Sequence, residues 1–209
     1  KGIDCILKTQ IVKNGQKTGY FLDQKENRAA IRRYAAGGRV LDCFSNSGGF
    51  ALNAALSAES VVAADISPLA LKNVERNAGL NGIKNIRTVC GDVFSLLREY
   101  RAAGEKFSLV VLDPPAFCKS AAEVRDALRG YKDINIQAMK LIEKGGFLAT
   151  CSCSQHMTPT LFERMLAEAA KESGRRVRCL ETRGQAPDHP VLLNEDETRY
   201  LKFYILQIL

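Results

Sequence analysis

From residue 39 onward, short apolar runs alternate with longer stretches whose apolar positions recur at helical spacing. The runs at 39–43, 61–65, 86–90, 107–112 and 147–151 are rich in Val, Ile, Leu and Ala and predict buried strands, with two more near 177–181 and 200–206. The stretches between them predict helices after Gly48-Gly49, from Ser67-Pro68 to about Leu80, after Asp92, over 127–143 and around 158–173. Ser67-Pro68 has the residues of an N-cap followed by N1, where a hydroxyl accepts from the first turn and proline's missing N–H is no loss. Ahead of this region, weak alternation over 3–12 followed by Asn14-Gly15 predicts a small hairpin. Asp23, with Glu26 three residues on, is read as the N-cap of a helix over 23–36 that Gly37-Gly38 ends. Strands alternating with helices imply βαβ units. The expected architecture is α/β: a mostly parallel seven-stranded sheet with helices on both faces, and ligands beyond the carboxyl ends of its strands. Residues 1–36 are expected to form a hairpin-and-helix extension packed on a domain spanning 37–209.

Composition narrows this picture a little. With 209 residues, 46% hydrophobic and 25% charged, the chain is of ordinary globular make-up and suits one well-cored domain. No apolar run approaches the roughly 20 residues of a membrane span, and no secretion-signal pattern opens the sequence. A net charge of +7 permits an anionic partner such as nucleic acid, although the basic residues are dispersed apart from Arg32-Arg33 and the cluster Arg175, Arg176, Arg178. Seven cysteines without C-x-x-C spacing and only two histidines, His156 and His189, argue against a zinc site and for reduced thiols in the cytoplasm. The chain starts at Lys1 rather than Met, and we expect an excised fragment whose upstream partner is missing.

Chemistry-bearing residues gather at the predicted strand ends. The segment 40–50, Val-Leu-Asp-Cys-Phe-Ser-Asn-Ser-Gly-Gly-Phe, leaves a buried strand and enters a helix. Its glycines let backbone approach a ligand, but it lacks the G-x-G-x-x-G spacing that cradles a pyrophosphate and carries Asp42 in the turn. A cofactor with a sulfonium and an ammonium and no phosphate, S-adenosylmethionine, fits such a turn better. Asp65 ends the second strand, where this architecture holds a ribose diol, and Asp92 ends the third, where a carboxylate can accept from an adenine amino group. Helix capping would explain either acid alone; three acids after three successive strands combine into a site.

After the fourth strand comes Asp113-Pro114-Pro115-Ala116-Phe117. Two prolines cannot continue a central strand, so the chain leaves the sheet and presents carbonyls and a carboxylate, with Phe117 as a stacking face for a planar base. The fifth strand closes on Thr150-Cys151-Ser152-Cys153-Ser154. Carbon-5 of cytosine is a poor nucleophile until a thiolate adds at carbon-6, so a cysteine at this strand end suits carbon methylation. From the residues alone, Cys151 and Cys153 both qualify as that thiol, and either is also explained as a small core residue.

These motifs, together with 17–24, Asn27-Arg28, Asp65-Ile66-Ser67, Asp188-His189-Pro190 and Tyr200-Leu201-Lys202, resemble the RlmI-like 23S ribosomal RNA cytosine-5 methyltransferases over essentially the whole chain. The resemblance implies a Rossmann-like class I methyltransferase fold and a cradle for S-adenosylmethionine. That cradle comprises Asp42, Phe44, Ser45, Gly48, Asp65, Ile66, Ser67, Asp92, Val93 and Asp113, with Phe21 and Gln24 reaching in from the N-terminal segment. It implies Cys153 as nucleophile beside Asp113 and Pro114, and places Pro115, Phe117, Lys119 and His189 on the substrate side, His189 chiefly by ordering its loop. Asp113 or a water is left as the base that removes the carbon-5 proton. The implied partner is ribosomal RNA, with no metal and no membrane; a homodimer is compatible. The resemblance also implies an upstream RNA-binding PUA domain in full-length members, which we expect to lie outside this fragment.

Three other readings compete. Asp-Pro-Pro also suits methylation of an exocyclic amino group of adenine or guanine, which needs no thiol. A catalytically dead RNA- or cofactor-binding module would not need every acid that the chain retains. A nicotinamide dehydrogenase is disfavoured by the missing G-x-G-x-x-G and by Asp-Pro-Pro.

Overall fold

The computed structural model describes residues 20–118, 120–195 and 198–209. The expected hairpin over 3–15 and Lys119 lie outside the described residues. Seven strands, β1 Arg39–Cys43, β2 Ser60–Asp65, β3 Ile86–Cys90, β4 Phe107–Leu112, β5 Ile142–Ser152, β6 Val177–Arg183 and β7 Lys202–Ile208, form one sheet in the order β3-β2-β1-β4-β5-β7-β6. The first five are parallel, and β7 inserts antiparallel between β5 and β6. β1 and β4 are neighbours although the chain runs to β2 and β3 between them, so the direction of winding reverses at their carboxyl ends. That reversal is the crevice where open α/β sheets take ligands.

The helices α1 Lys25–Ala30, α2 Arg32–Ala35, α3 Gly49–Ala55, α4 Pro68–Leu80, α5 Val93–Ala102, α6 Val124–Leu141 and α7 Pro159–Ser173 cover both faces. Side chains alternate along each strand, which divides the core in two. Val40, Leu109, Val111, Ala149 and Ile205 pack with Phe50, Ala54, Leu71 and Val74 on the α1–α4 face. Leu41, Val110, Leu112 and Leu148 pack with Leu97, Tyr131, Ile134 and Phe162 on the α5–α7 face. The Ser67 hydroxyl caps α4, as its position before Pro68 predicts. Among the described residues no helix is long and apolar enough to cross a membrane.

Two expectations need correction. The helix read over 23–36 is a 3-10 turn at Leu22–Gln24 followed by α1 and α2, interrupted at Ile31. Asp23 caps neither; its Oδ2 accepts from the Tyr200 hydroxyl at 2.8 Å, a tertiary partner that wins over local capping. This segment turns the polar side chains of Gln24, Asn27 and Arg28 inward, so its periodicity is not that of a surface helix. Gly145-Gly146, expected to precede the fifth strand, lies inside β5. The register with β4 shifts there, and a Cβ on Gly146 would stand 2.7 Å from the Ser108 carbonyl oxygen, a close approach that only glycine permits.

Candidate active site

A cleft of about 330 Å3 opens at the carboxyl ends of β1, β2 and β4. The turn after β1 forms one wall. Phe44, Asn46 and Gly48 all take positive φ (62°, 47° and 86°), which coils the backbone and aims Phe44 and Ser45 into the cleft. Asp42 sits behind this turn, fully buried, with Oδ2 accepting from the Ala51 amide at 2.9 Å. It fastens the end of β1 to the first turn of α3, and neither it nor Gly48 faces the cleft. Burial pushes the Asp42 carboxyl up to about 7, and the negative charge of Asp113 adds to the shift. Asp65 does face the cleft, held by the Asn46 amide on Oδ2 and the Ser67 amide on Oδ1, each at 2.9 Å. Ile66 beside it is 70% exposed and also lines the cleft.

Asp92 and Val93, expected in the cradle, are not among the residues that line the cleft. Asp92 caps α5, accepting at 3.0 Å from both the amide and the hydroxyl of Ser95, and Val93 is core. At this position capping is the arrangement that forms.

Opposite the turn stand Asp113, Pro114 and Pro115, with Cys153. Burial raises the Asp113 carboxyl above its ordinary value, while its Oδ1 accepts from the Cys151 thiol at 2.9 Å and from Gln24 Nε2 at 3.2 Å. Cys151 itself is buried; desolvation and then the neighbouring Asp113 charge push its thiol well up, so it stays protonated. Cys153, one residue past β5, is exposed and lines the cleft. The two thiols left open by alternation along the strand are therefore separated by the end of the strand.

The residues flanking Cys153 are fixed from below. Ser152 Oγ donates to the Tyr131 hydroxyl at 2.9 Å, and Tyr131 and Ser154 share a hydrogen bond at 3.1 Å, all buried. Burial pushes the Tyr131 phenol up to about 12. Lys202, only 3% exposed, pairs with Ser152 across the sheet and donates to the carbonyls of Ser154 at 2.6 Å and Tyr200 at 2.8 Å. Burial lowers its ammonium to about 8, while thiolate charge at Cys153 would raise it, which places the two groups within electrostatic reach.

Phe117, expected to stack on substrate, packs on Tyr131 with ring centroids 4.7 Å apart and contacts Phe94 and Phe44; it does not line the cleft. An aromatic two residues past Pro-Pro finds the apolar face of α6 within reach, and packing there leaves Phe117 half-buried. His189 is also outside the cleft, its Nδ1 3.2 Å from Asp188 Oδ1. Its loop is tied to the N-terminal turn: Asp188 pairs with Lys25 at 2.8 Å, and the Ala186 amide donates to the Asp23 carbonyl at 2.8 Å.

That turn completes the cleft. Phe21, Asp23, Gln24 and Arg28 all line it, and Arg28 and the Oδ1 of Asp23 are buried. Roles for Asp23, Arg28, Tyr131 and Lys202 were not found from sequence. Arg28 and Lys202 fall within the motifs of the resemblance but carry no local pattern, and only tertiary placement makes them polar groups in an apolar setting. Among the described residues no cluster of three or more His, Cys, Asp or Glu side chains is placed to hold a metal ion.

Comparison with known proteins adds three findings. Residues 5–202 match the model of the S-adenosylmethionine-dependent methyltransferase family. Proteins named ribosomal RNA large subunit methyltransferase I are similar in sequence. That of Aeromonas salmonicida is 47% identical over 94% of this chain and 50% of its own, and that of Erwinia tasmaniensis 45% identical over 95% and 51%. The chain thus spans about half the length of the curated relatives it matches. The crystal structure of SMU.776 complexed with SAH superposes with a TM-score of 0.83 over 93% of this chain and 51% of its own, at 22% identity, a likeness of fold.

Proposed function

The chain belongs to the S-adenosylmethionine-dependent methyltransferase family, and we propose that it methylates carbon-5 of a cytosine in 23S ribosomal RNA with Cys153 as the attacking thiolate. The carrying observation is that Cys153 presents an exposed thiol to the cleft that also contains Asp65 and Asp113. The names of the similar proteins support large-subunit ribosomal RNA as the substrate.

The cleft suits the methyl donor. It has no phosphate-binding spacing, it offers an oriented carboxylate at Asp65 and apolar surface at Ile66 and Phe44, and it contains buried donors and a buried acceptor without partners in Arg28 and Asp23. Asp65 would hold the ribose hydroxyls, and Ile66 and Phe44 the faces of the adenine. When bound, the cofactor supplies an electrophilic methyl group.

The chain's own residues do the rest. The Lys202 ammonium favours the thiolate of Cys153, and the Tyr131–Ser152–Ser154 network holds its backbone in place. The thiolate adds at carbon-6 of the base, making carbon-5 enamine-like and able to accept a methyl group. Asp113, whose burial makes its carboxylate more basic than an ordinary one, receives the carbon-5 proton; breaking the S–C6 bond then restores the aromatic ring and the thiolate. Asp-Pro-Pro would serve amino-group methylation too, but that chemistry leaves the exposed thiol and the buried lysine beneath it without a task. Residues 20–36, as the N-terminal extension, would close the cofactor side.

The test is single-turnover methylation of a ribosomal RNA fragment by the wild type and Cys153→Ala, with nucleoside mass spectrometry. We expect 5-methylcytidine from the wild type, none from the variant, and cofactor binding in both. Methylation retained by Cys153→Ala sinks the thiolate mechanism, and a product methylated on an exocyclic nitrogen sinks the carbon-5 reading.

A further inference from the structure

Arg28 is a buried cation with no hydrogen-bond partner for two of its nitrogens. It is 4% exposed, and its Nε and Nη1 are both unsatisfied. The Tyr20 ring covers the guanidinium at 4.0 Å from its centroid, with Phe50 5.8 Å away. Arginine cannot shed its proton, so donors buried in this way call for an acceptor that the described residues do not supply. Its position is made possible by Gly49. A Cβ there would stand 2.6 Å from Nε and 2.9 Å from Cζ, so any larger residue would displace the side chain.

The opposite deficiency occurs in the same cleft. Asp23 accepts from Tyr200 through Oδ2, while its Oδ1 is buried and unpartnered. Among the described residues no ion pair joins Asp23 to Arg28, so the two needs are not met by each other. Unpaired cationic donors and an unpaired anionic acceptor lining one cleft are the chemical complement of an α-amino acid zwitterion.

We infer that Arg28 and Asp23 hold the amino-acid end of the methyl donor, Arg28 taking its carboxylate and Asp23 its ammonium. The inference rests on the reading of this cleft as the cofactor site. An RNA phosphate is the other anion that could meet Arg28. It brings no cation for Asp23, and it would have to enter past the carboxylates of Asp23, Asp65 and Asp113, which all line the cleft. Arg28 also lies against Gly49 and Phe50, at the start of the helix that follows the β1 turn. Gly49 then has a defined purpose, to leave room for the guanidinium at the wall of the cleft.

The test is calorimetric titration of the intact chain without RNA, using three ligands. S-adenosylmethionine carries both charges, its decarboxylated analogue keeps only the ammonium, and 5′-methylthioadenosine has neither. Arg28→Gln should weaken S-adenosylmethionine by about 10- to 100-fold, the scale of hydrogen bonds to a charged group, and leave the decarboxylated analogue unchanged. Asp23→Asn should weaken both of these ligands and spare 5′-methylthioadenosine. Gly49→Ala is the second route to the same outcome should Arg28→Gln misfold, and Arg28→Lys should recover part of the loss. Near-ultraviolet circular dichroism of each variant reports whether the fold is kept. The assignment is overturned if Arg28→Gln binds S-adenosylmethionine within twofold of wild type, or loses equal affinity for the decarboxylated analogue. It is equally overturned if only affinity for an RNA oligonucleotide falls, which would give Arg28 to a phosphate. Failure of the wild type to bind any of the three would instead refute the cofactor-site reading itself.

Discussion

Replacing Asp42 by Asn should stabilise the protein above neutral pH, although it alters a buried acid directly behind the site. Burial lifts the Asp42 carboxyl from its ordinary value of 3.8 to about 7, and each unit of such a shift corresponds to about 1.4 kcal/mol. The charged form is therefore disfavoured in the fold by about 4 kcal/mol. Because the folded value lies above the unfolded one, native protein binds more protons between about pH 4 and pH 7, and stability falls as pH rises through that window. Asn keeps an acceptor for the Ala51 amide, and its amide nitrogen would stand where Oδ1 already lacks a partner, so the two neutral forms are closely matched. The difference between Asp42→Asn and wild type should then be near zero at pH 4 and grow to about 4 kcal/mol at pH 8. Urea unfolding followed by circular dichroism at a series of pH values measures it. A difference that stays flat across the series, or a variant less stable than wild type at pH 8, would refute the reasoning. Because Asp42 stands behind the turn, affinity for S-adenosylmethionine should change little.

Lys202→Met should slow alkylation of Cys153 by iodoacetamide about tenfold at pH 7, through loss of the nearby positive charge; an unchanged rate would detach the lysine from the thiol. The same substitution has an equilibrium signature. Burial puts the folded Lys202 value near 8, below its ordinary 10.5, so wild-type stability should rise between those pH values, and in the variant urea midpoints should lack that rise. Tyr131→Phe removes the shared partner of the Ser152 and Ser154 hydroxyls. It should cost about 1–3 kcal/mol by urea unfolding and reduce methyl transfer while leaving cofactor affinity alone.

Most of the sheet was legible because its strands are buried on both faces and read as unbroken apolar runs; β1, β3 and β4 match their predicted bounds residue for residue. Asp65, Asp113 and Cys153 were legible for a related reason, since the ends of such strands converge on one edge whatever the loops do. What failed was anything settled by competition between a local and a tertiary partner. Asp23 carries a capping-box pattern but bonds to Tyr200, a residue 177 positions away. Asp92 shows the local side of the same competition: its Oδ2 caps α5 through the amide and hydroxyl of Ser95. Phe117 beside two prolines looks exposed in sequence, and only the position of α6 sets it, half-buried, against Tyr131. Arg28 and Lys202 stand in the sequence only as parts of motifs, since nothing in one dimension shows that a cation is to be buried.

The segments that defeated local reading are also the ones that join the two halves of the site. The βαβ units supply acids: Asp65 on one wall and Asp113 on the other. The buried cation on the cofactor side comes from outside them, on the turn that precedes β1. Gln24 binds that turn to the substrate side, with Nε2 3.2 Å from Asp113 Oδ1 and 3.4 Å from the Cys151 sulfur. Its Oε1 accepts from Asn27 at 2.7 Å, and Asn27 in turn donates to the Gly184 carbonyl and accepts from Arg183 at the end of β6. A chain of hydrogen bonds through Gln24 and Asn27 thus runs from the tip of β4 through the N-terminal turn to the far edge of the sheet. Any displacement of the turn moves Arg28 and disturbs Asp113 together. On the function proposed above, occupancy of the cofactor side and the setting of the carboxylate proposed as the base would therefore be linked through Gln24 and Asn27.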